Sequence, residues 1–363
     1  MVPTFEIPHP TLQAACWFGD RTHFRALLMR ARPYGLDMTP ASQPSGDTTA
    51  KPPAPAYDLE RIARRIKQLL RERGPITGGA LCKAMPDIPP IVIWRVFHSR
   101  EDMRVQNCAR YYLRYDIRRD NALRLSPSIL RDFLTFSLVH LPGDQVRVVQ
   151  AGTRLSNRHR RISLRKLGLA RRALLRLPSE LQDEINRHCV VFLSGDISYY
   201  LAHATMRRHE QLGTPVRGSD IDIVIIANAE ADADKLKRME AELLSIKQLY
   251  LMSPNIREEL DFIVKPIGRM VDQLEYRDIH EKIASKILYE SFFLMGRVDI
   301  YESLMQNMTL RGTRARIEED FEVALGERQQ TIAKILALPP EASADDPMVA
   351  SLFFASQERL EFQ

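Results

Sequence analysis

At 363 residues and 41.7 kDa the chain is long enough for two or three domains, each with its own core, and 45% hydrophobic with 27% charged residues is the balance of a globular protein. A formal charge of +6 and a pI near 9.1 suit acidic partners such as nucleic acid or nucleotide polyphosphate, and Arg outnumbers Lys roughly four to one, which favours bidentate phosphate contacts. Four scattered cysteines (Cys16, Cys82, Cys108, Cys189) argue against a zinc knuckle or disulfide framework, and no apolar run approaches the ~18 residues of a membrane helix. Residues 1–10 lack a basic segment followed by an apolar core. No signal peptide is therefore expected, and a reducing cytoplasm fits.

Residues 1–56 comprise a helix predicted over 11–30, with Leu12, Trp17, Phe24 and Leu27 in a partial stripe, and a Pro-rich linker over 32–56. Residues 57–116 carry three predicted helices and a strand. Asp58 caps the first, whose apolar face is Leu59, Ile62, Ile66, Leu69 and Leu70; Thr77 caps the second, over 78–84. The third spans 90–100, and 104–115 reads as strand. This arrangement resembles winged helix-turn-helix domains, in which the third helix enters the DNA major groove. The resemblance implies that Trp94, Arg95, His98, Ser99 and Arg100 form its exposed face, with Arg95 and Arg100 on nucleic acid. A module that only makes protein contacts is the alternative.

Residues 117–178 read as a connector: a helix over 126–136, a hairpin across Pro142-Gly143-Asp144, then a basic stretch. Between Asp144 and Glu180 there is no acidic residue. Arg158, Arg160, Arg161, Arg165 and Lys166 are the residues expected to meet a phosphate backbone there, and 161–177 can form an amphipathic helix on Leu164, Leu167, Leu174 and Leu175. The stretch has no aromatics, which argues against a base-stacking platform.

In residues 179–310 a short helix over 179–187 leads to an apolar strand, 190–193, opening into Ser194-Gly195-Asp196-Ile197-Ser198. A helix through Tyr199, Leu201 and Met206 is expected next. Leu212-Gly213-Thr214-Pro215 then turns the chain into Arg217-Gly218-Ser219-Asp220-Ile221-Asp222, followed by the apolar run 223–226. Strand alternation points Asp220 and Asp222 to one side, and adjacent carboxylates call for a cation between them, a divalent metal with oxygen ligands first of all. A helix over 232–249 leads to Leu260-Asp261-Phe262-Ile263-Val264, a later strand with a third acid.

This order of strand, Gly turn, Ser-Asp-apolar-Asp and later acid resembles the DNA polymerase beta-type nucleotidyltransferase superfamily. The resemblance implies an α/β (α+β) core in which Asp220, Asp222 and Asp261 are catalytic and hold Mg²⁺ (or Mn²⁺). It further implies that Ser194, Gly195, Ser198 and Ser219 cradle an NTP. Asp196 departs from the pattern, standing where the family usually has Gly or Ser, and the segment from that turn to Asp220 is longer than the family's. A helix expected over 280–296, followed by Arg297-Val298-Asp299-Ile300-Tyr301, is similar to the abortive-infection toxin branch. That likeness implies that Lys286, with Lys282 second, approaches the phosphates and that Asp299 is the matching acid. An ordinary amphipathic helix with both lysines in solvent is the alternative.

Residues 311–363 read as C-terminal helices over 312–338 and 348–362, separated by a break at 339–347. The resulting expectation is a cytoplasmic, metal-dependent enzyme that moves a nucleoside monophosphate from an NTP to a hydroxyl on RNA, with tRNA first by analogy. A toxin or phage-defence role with an antitoxin-like protein partner goes with it. The alternatives are a DNA-binding regulator with a non-catalytic nucleotide domain, and an enzyme that nucleotidylates (AMPylates) proteins.

Overall fold

Asp58 starts the first helix, α1 (Leu59–Arg73), by accepting the Arg61 N–H at 2.9 Å, and Ile62, Ala63, Ile66 and Leu70 bury its apolar stripe. The computed structural model describes residues 57–116, 122–209 and 213–338, together with 349, 352 and 353. The helix expected over 11–30, the linker over 32–56, the break at 339–347 and most of the last helix lie outside them. Thr77 caps α2 (Gly78–Ala84) by accepting the Ala80 N–H at 3.1 Å, and α3 (Pro90–His98) follows.

A three-stranded sheet completes this part, in the order β1 (Ile76–Thr77), β5 (Ser137–His140), β2 (Arg104–Asn107), with both pairings antiparallel. The strand expected over 104–115 is thus divided. Residues 104–107 stay in the sheet, whereas β3 (Tyr112–Asp116) leaves to form a separate hairpin with β4 (Ala122–Ser126). The expected boundary at 116 falls inside that hairpin, because the sheet's middle strand comes from 137–140. Between them, a helix over 126–136 is replaced by α4 (Ile129–Arg131) running into a π-helical turn, Asp132–Phe136.

Of the α3 face expected to be exposed, Ser99 is exposed, whereas Trp94 is buried and Arg95, His98 and Arg100 are partly covered. Trp94 is 2% exposed and packs edge-on against Phe353, His98 stacks on Trp94, and Arg95 donates to the Leu338 carbonyl. Arg100 pairs with Glu60 and Asp102. The physical reason lies in the sequence of α3: apolar residues run all round it, so one buried side cannot accommodate them and C-terminal residues cover the rest.

The expected hairpin at 142–144 is instead a turn into a long helix, α5 (Gln145–Leu175), about 46 Å in length. It leads through α6 (Ser179–His188) to the main sheet. Four strands lie in the order β10 (Leu260–Pro266), β9 (Ile221–Ala227), β6 (Cys189–Ser194), β11 (Phe292–Gly296). Strands β9 and β10 are parallel, and β6 is antiparallel to both β9 and β11. The helix expected over 280–296 therefore ends early, and its last five residues form an edge strand in which Phe292 and Phe293 pair with Leu193 and Phe192. No helix follows Ser198 over 199–206; the chain instead forms a small hairpin, β7 (Met206–Arg208) with β8 (Pro215–Arg217).

Period-2 alternation gives the sheet two apolar faces. Val191, Leu193, Ile223 and Ile225 pack against α5, α6 and α7 (Ala233–Met252). Val190, Phe192, Val224 and Ile226 pack against α8 (Ile267–Gln273), α9 (Ile279–Tyr289), α10 (Val298–Leu310) and α11 (Thr313–Ala337). The class is α+β, with helices on both sides of a mixed sheet. Among the described residues, no helix is long and apolar enough to cross a membrane.

Candidate active site

Strand register brings three site residues into one row. Ser194 lies opposite Asp222 across β6 and β9, and Asp222 lies opposite Asp261 across β9 and β10. Neighbouring strands are about 4.8 Å apart, so the two acids share one side of the sheet. Asp220 precedes Asp222 by two residues, just outside the strand. All four line a cavity of about 700 Å³, walled on another side by Tyr112 and Arg114 of β3.

Two of the three acids are held by cations. Asp220 pairs with Arg207 on β7, whose guanidinium also reaches Glu259 at 2.7 Å and the Gly218 carbonyl at 3.1 Å. Asp261 pairs with Lys247 of α7. Asp222 accepts no hydrogen bond among the described residues. Burial first, then the charges of Asp220 and Asp261, push its carboxyl up to about 8. Burial likewise raises Asp220 to about 6, with Arg207 opposing and Glu259 and Asp261 adding to the rise.

Among the described residues, no three His, Cys, Asp or Glu side chains are gathered tightly enough to enclose an ion. The expected three-carboxylate metal set is therefore not preassembled, because Arg207 and Lys247 hold two of its members. The donor chemistry nonetheless fits a hard divalent cation: the carboxyl oxygens of Asp220, Asp222 and Asp261 line one cavity.

The sign of the pH effect follows. A carboxyl whose pKa is higher folded than unfolded binds its proton more tightly in the folded chain. For these two groups, stability is fully present below the ordinary value of 3.8 and is lost as pH rises through about 6 and then about 8. Solvent reaches Asp220, whose side chain is 37% exposed, so screening tempers its share. Urea unfolding at about pH 5 and about pH 8.5 should give a lower midpoint at the higher pH, and Asp222→Asn should remove most of the difference.

Two glycines shape the turns. Gly195 has φ +78°, and a Cβ there would stand 2.9 Å from Asp222 Oδ2. Gly218 has φ +45°, and its Cβ would meet the His203 carbonyl oxygen at 1.9 Å. The turn that delivers the acid strand is braced from below by Lys166. Its fully buried ammonium donates to the Arg217 and Ser219 carbonyls at 2.9 and 2.6 Å and pairs with Glu258.

Lys166 was expected on the nucleic-acid face, and the structure corrects that. Helical spacing places it with His159, Ser163 and Ala170 on the buried side of α5. Arg158, Arg160 and Arg161 are exposed on that helix, with Arg160 over the Tyr200 ring; Arg165, also exposed, is committed to Glu258.

The partly buried Asp196 accepts hydrogen bonds from the Tyr112 and Ser219 hydroxyls. Burial alone would raise its carboxyl, but nearby Arg131 and His203 and these two donors outweigh it and hold it below the ordinary range. The acid that departs from the family pattern is thus an internal ligand for hydroxyls. Ser219 is committed to it and also accepts the His203 N–H at 3.3 Å, while the Ser198 hydroxyl turns back to the Gly195 carbonyl at 2.7 Å. Neither Ser198 nor Ser219 has its hydroxyl free for a phosphate, contrary to expectation.

The two lysines of α9 separate clearly. Lys286 lines the cavity, lies over the Tyr112 ring at 5.0 Å and pairs with Glu290 at 2.7 Å. Lys282 lies outside it, paired with Asp320 at 3.2 Å and over Tyr276. Asp299 is also remote from the cavity, paired with Arg297 at the exposed start of α10. Sequence reasoning missed Arg207, Arg114, Tyr112 and Glu290. The basic triplet Arg207-Arg208-His209 in the long insertion was the available signal for the first; the others depend on distant register. The chain matches no protein-family model and no curated protein.

Proposed function

We propose that this chain is a metal-dependent nucleotidyltransferase, with a polymerase-beta-type core, that moves a nucleoside monophosphate from an NTP to a hydroxyl acceptor. The observation that carries the reading is the row Ser194–Asp222–Asp261, flanked by Asp220 and by the Gly195 turn, with Lys286 entering the same cavity. Asp220, Asp222 and Asp261 would hold Mg²⁺ or Mn²⁺, which when bound supplies charge compensation for an in-line displacement at the α-phosphate. Gly195 N–H and Lys286 would orient the triphosphate. The acceptor oxygen bonds to the α-phosphorus, the bond to the bridging oxygen breaks, and pyrophosphate leaves. Asp261, with a side chain 45% exposed, is the acid an incoming hydroxyl meets first and would take its proton.

RNA is the favoured acceptor, supported by α5, which carries Arg154, Arg158, Arg160, Arg161, Arg171 and Arg172 on exposed positions and no acid. A cytoplasmic toxin or defence role with an antitoxin-like partner belongs to the same reading. The largely covered face of α3 weighs against the DNA-binding regulator. Incubation of the full chain with labelled NTPs, Mg²⁺ and total RNA tests the reaction: label on RNA supports it, label on protein in a lysate redirects it to protein nucleotidylation, and none in either sinks it. Replacing Arg158, Arg160 and Arg161 by Gln should weaken RNA binding and flatten the slope of log K against log salt by about 2. An unchanged slope would remove α5 from the interface.

A further inference from the structure

Glu290 caps the C-terminal end of α9 with a side chain that is 1% exposed. Its Oε1 accepts two hydrogen bonds, one from the Gly195 N–H at 3.1 Å and one from the Lys286 ammonium at 2.7 Å. Its Oε2 is buried and has no hydrogen-bond partner among the described residues, although Tyr199 lies close to the carboxyl. Asp222 adjoins the same turn, since a Cβ on Gly195 would stand 2.9 Å from its Oδ2.

An ordinary Lys–Glu pair one turn apart on a helix faces solvent and adds little to stability. This one is buried in a cavity already rich in carboxylates, an arrangement that disfavours the folded state. A glycine's backbone N–H and a buried ammonium are the donors that receive a phosphoryl oxygen. Here a carboxylate oxygen takes both.

We infer that Gly195 N–H and Lys286 form the phosphoryl subsite of the cavity and that the Glu290 carboxylate sits in it as an internal stand-in for the polyphosphate. The inference rests on the nucleotidyltransferase reading for the identity of the ligand. Entry of a polyphosphate requires Glu290 to rotate away, freeing both donors and removing one negative charge from beside Asp222. Measured affinity is then the intrinsic affinity reduced by the fraction of molecules with Glu290 withdrawn. Glu290 in this way sets the polyphosphate level at which the site fills.

Calorimetric titration of the full chain with inorganic tripolyphosphate and Mg²⁺ tests this. Glu290→Gln is expected to bind at least about 10-fold tighter than the wild type, and Lys286→Met at least about 10-fold weaker. Glu290→Asp, which keeps the charge but shortens the reach toward Gly195, is expected to bind tighter as well, and it serves if the Gln variant does not fold. Equal or weaker binding by the folded Glu290 variants, with Lys286→Met still weakened, overturns the stand-in and leaves the phosphate site in place. No binding by the wild type or any variant overturns both.

Discussion

Asp222→Asn is expected to lower nucleotidyl transfer by at least about 10³-fold, equivalent to about 4 kcal/mol of transition-state stabilisation, while the protein becomes no less stable. Asp222 is the middle member of the acid row, faces Asp220 and Asp261, and has no hydrogen-bond donor among the described residues. Burial and the neighbouring acids work against its charge and outweigh Arg114, which favours it. Asparagine keeps the shape and removes that penalty, so the urea midpoint near pH 8 should rise or hold. Two readouts separate a metal role from a structural one. Added Mg²⁺ or Mn²⁺ should raise the melting temperature of the wild type and leave the variant unmoved. Residual transfer within about tenfold of the wild type would take Asp222 out of the reaction.

Lys166→Met should produce the largest loss of stability, about 3 kcal/mol or more by urea unfolding. The ammonium is fully buried against an equally buried Glu258 and donates to two carbonyls of the turn before β9. Methionine fills a similar volume, so the loss measures the stranded carboxylate and the two unpaired carbonyls rather than a cavity. Arg165 still faces Glu258, which keeps the expected figure toward the low end of such cases. The double variant Lys166→Met/Glu258→Leu removes the uncompensated charge and should recover at least half of the loss. If the single variant unfolds like the wild type, the brace under Arg217–Ser219 is unimportant. Transfer should fall as well, because this turn sets where Asp220 points.

What the sequence made legible follows from the range of the forces involved. The strands at 189–194, 221–227 and 260–266 were readable because each is a short apolar run bounded by turn residues. Asp220, Asp222, Asp261 and Gly195 came with them, since a strand's register fixes its own residues. Residues 292–296 read as helix because four apolar residues and a glycine carry no period of their own; only pairing with β6 makes them a strand. Charge alone puts Lys166 on the outer face of α5, whereas its helical phase with His159, Ser163 and Ala170 marks the inner one. Arg207 and Glu290 were out of reach for another reason. Each acts through a partner 13 or 95 residues away, and no local pattern records such a meeting.

The hairpin of β3 and β4 interrupts the small three-stranded sheet and sends Tyr112 and Arg114 into the acid cavity. Residues encoded ahead of the acid-bearing segment thus furnish part of its wall, and the Tyr112 hydroxyl secures Asp196 behind the glycine turn. The chain is not a cassette with a detachable head. A gene fragment beginning at residue 179 would encode every acid and still lack one side of the vessel. Recombination that exchanged the N-terminal half for another would have to bring a matching hairpin with it. A change at Tyr112 should be felt at Asp196 and Lys286, which its hydroxyl and ring touch, rather than in the small sheet.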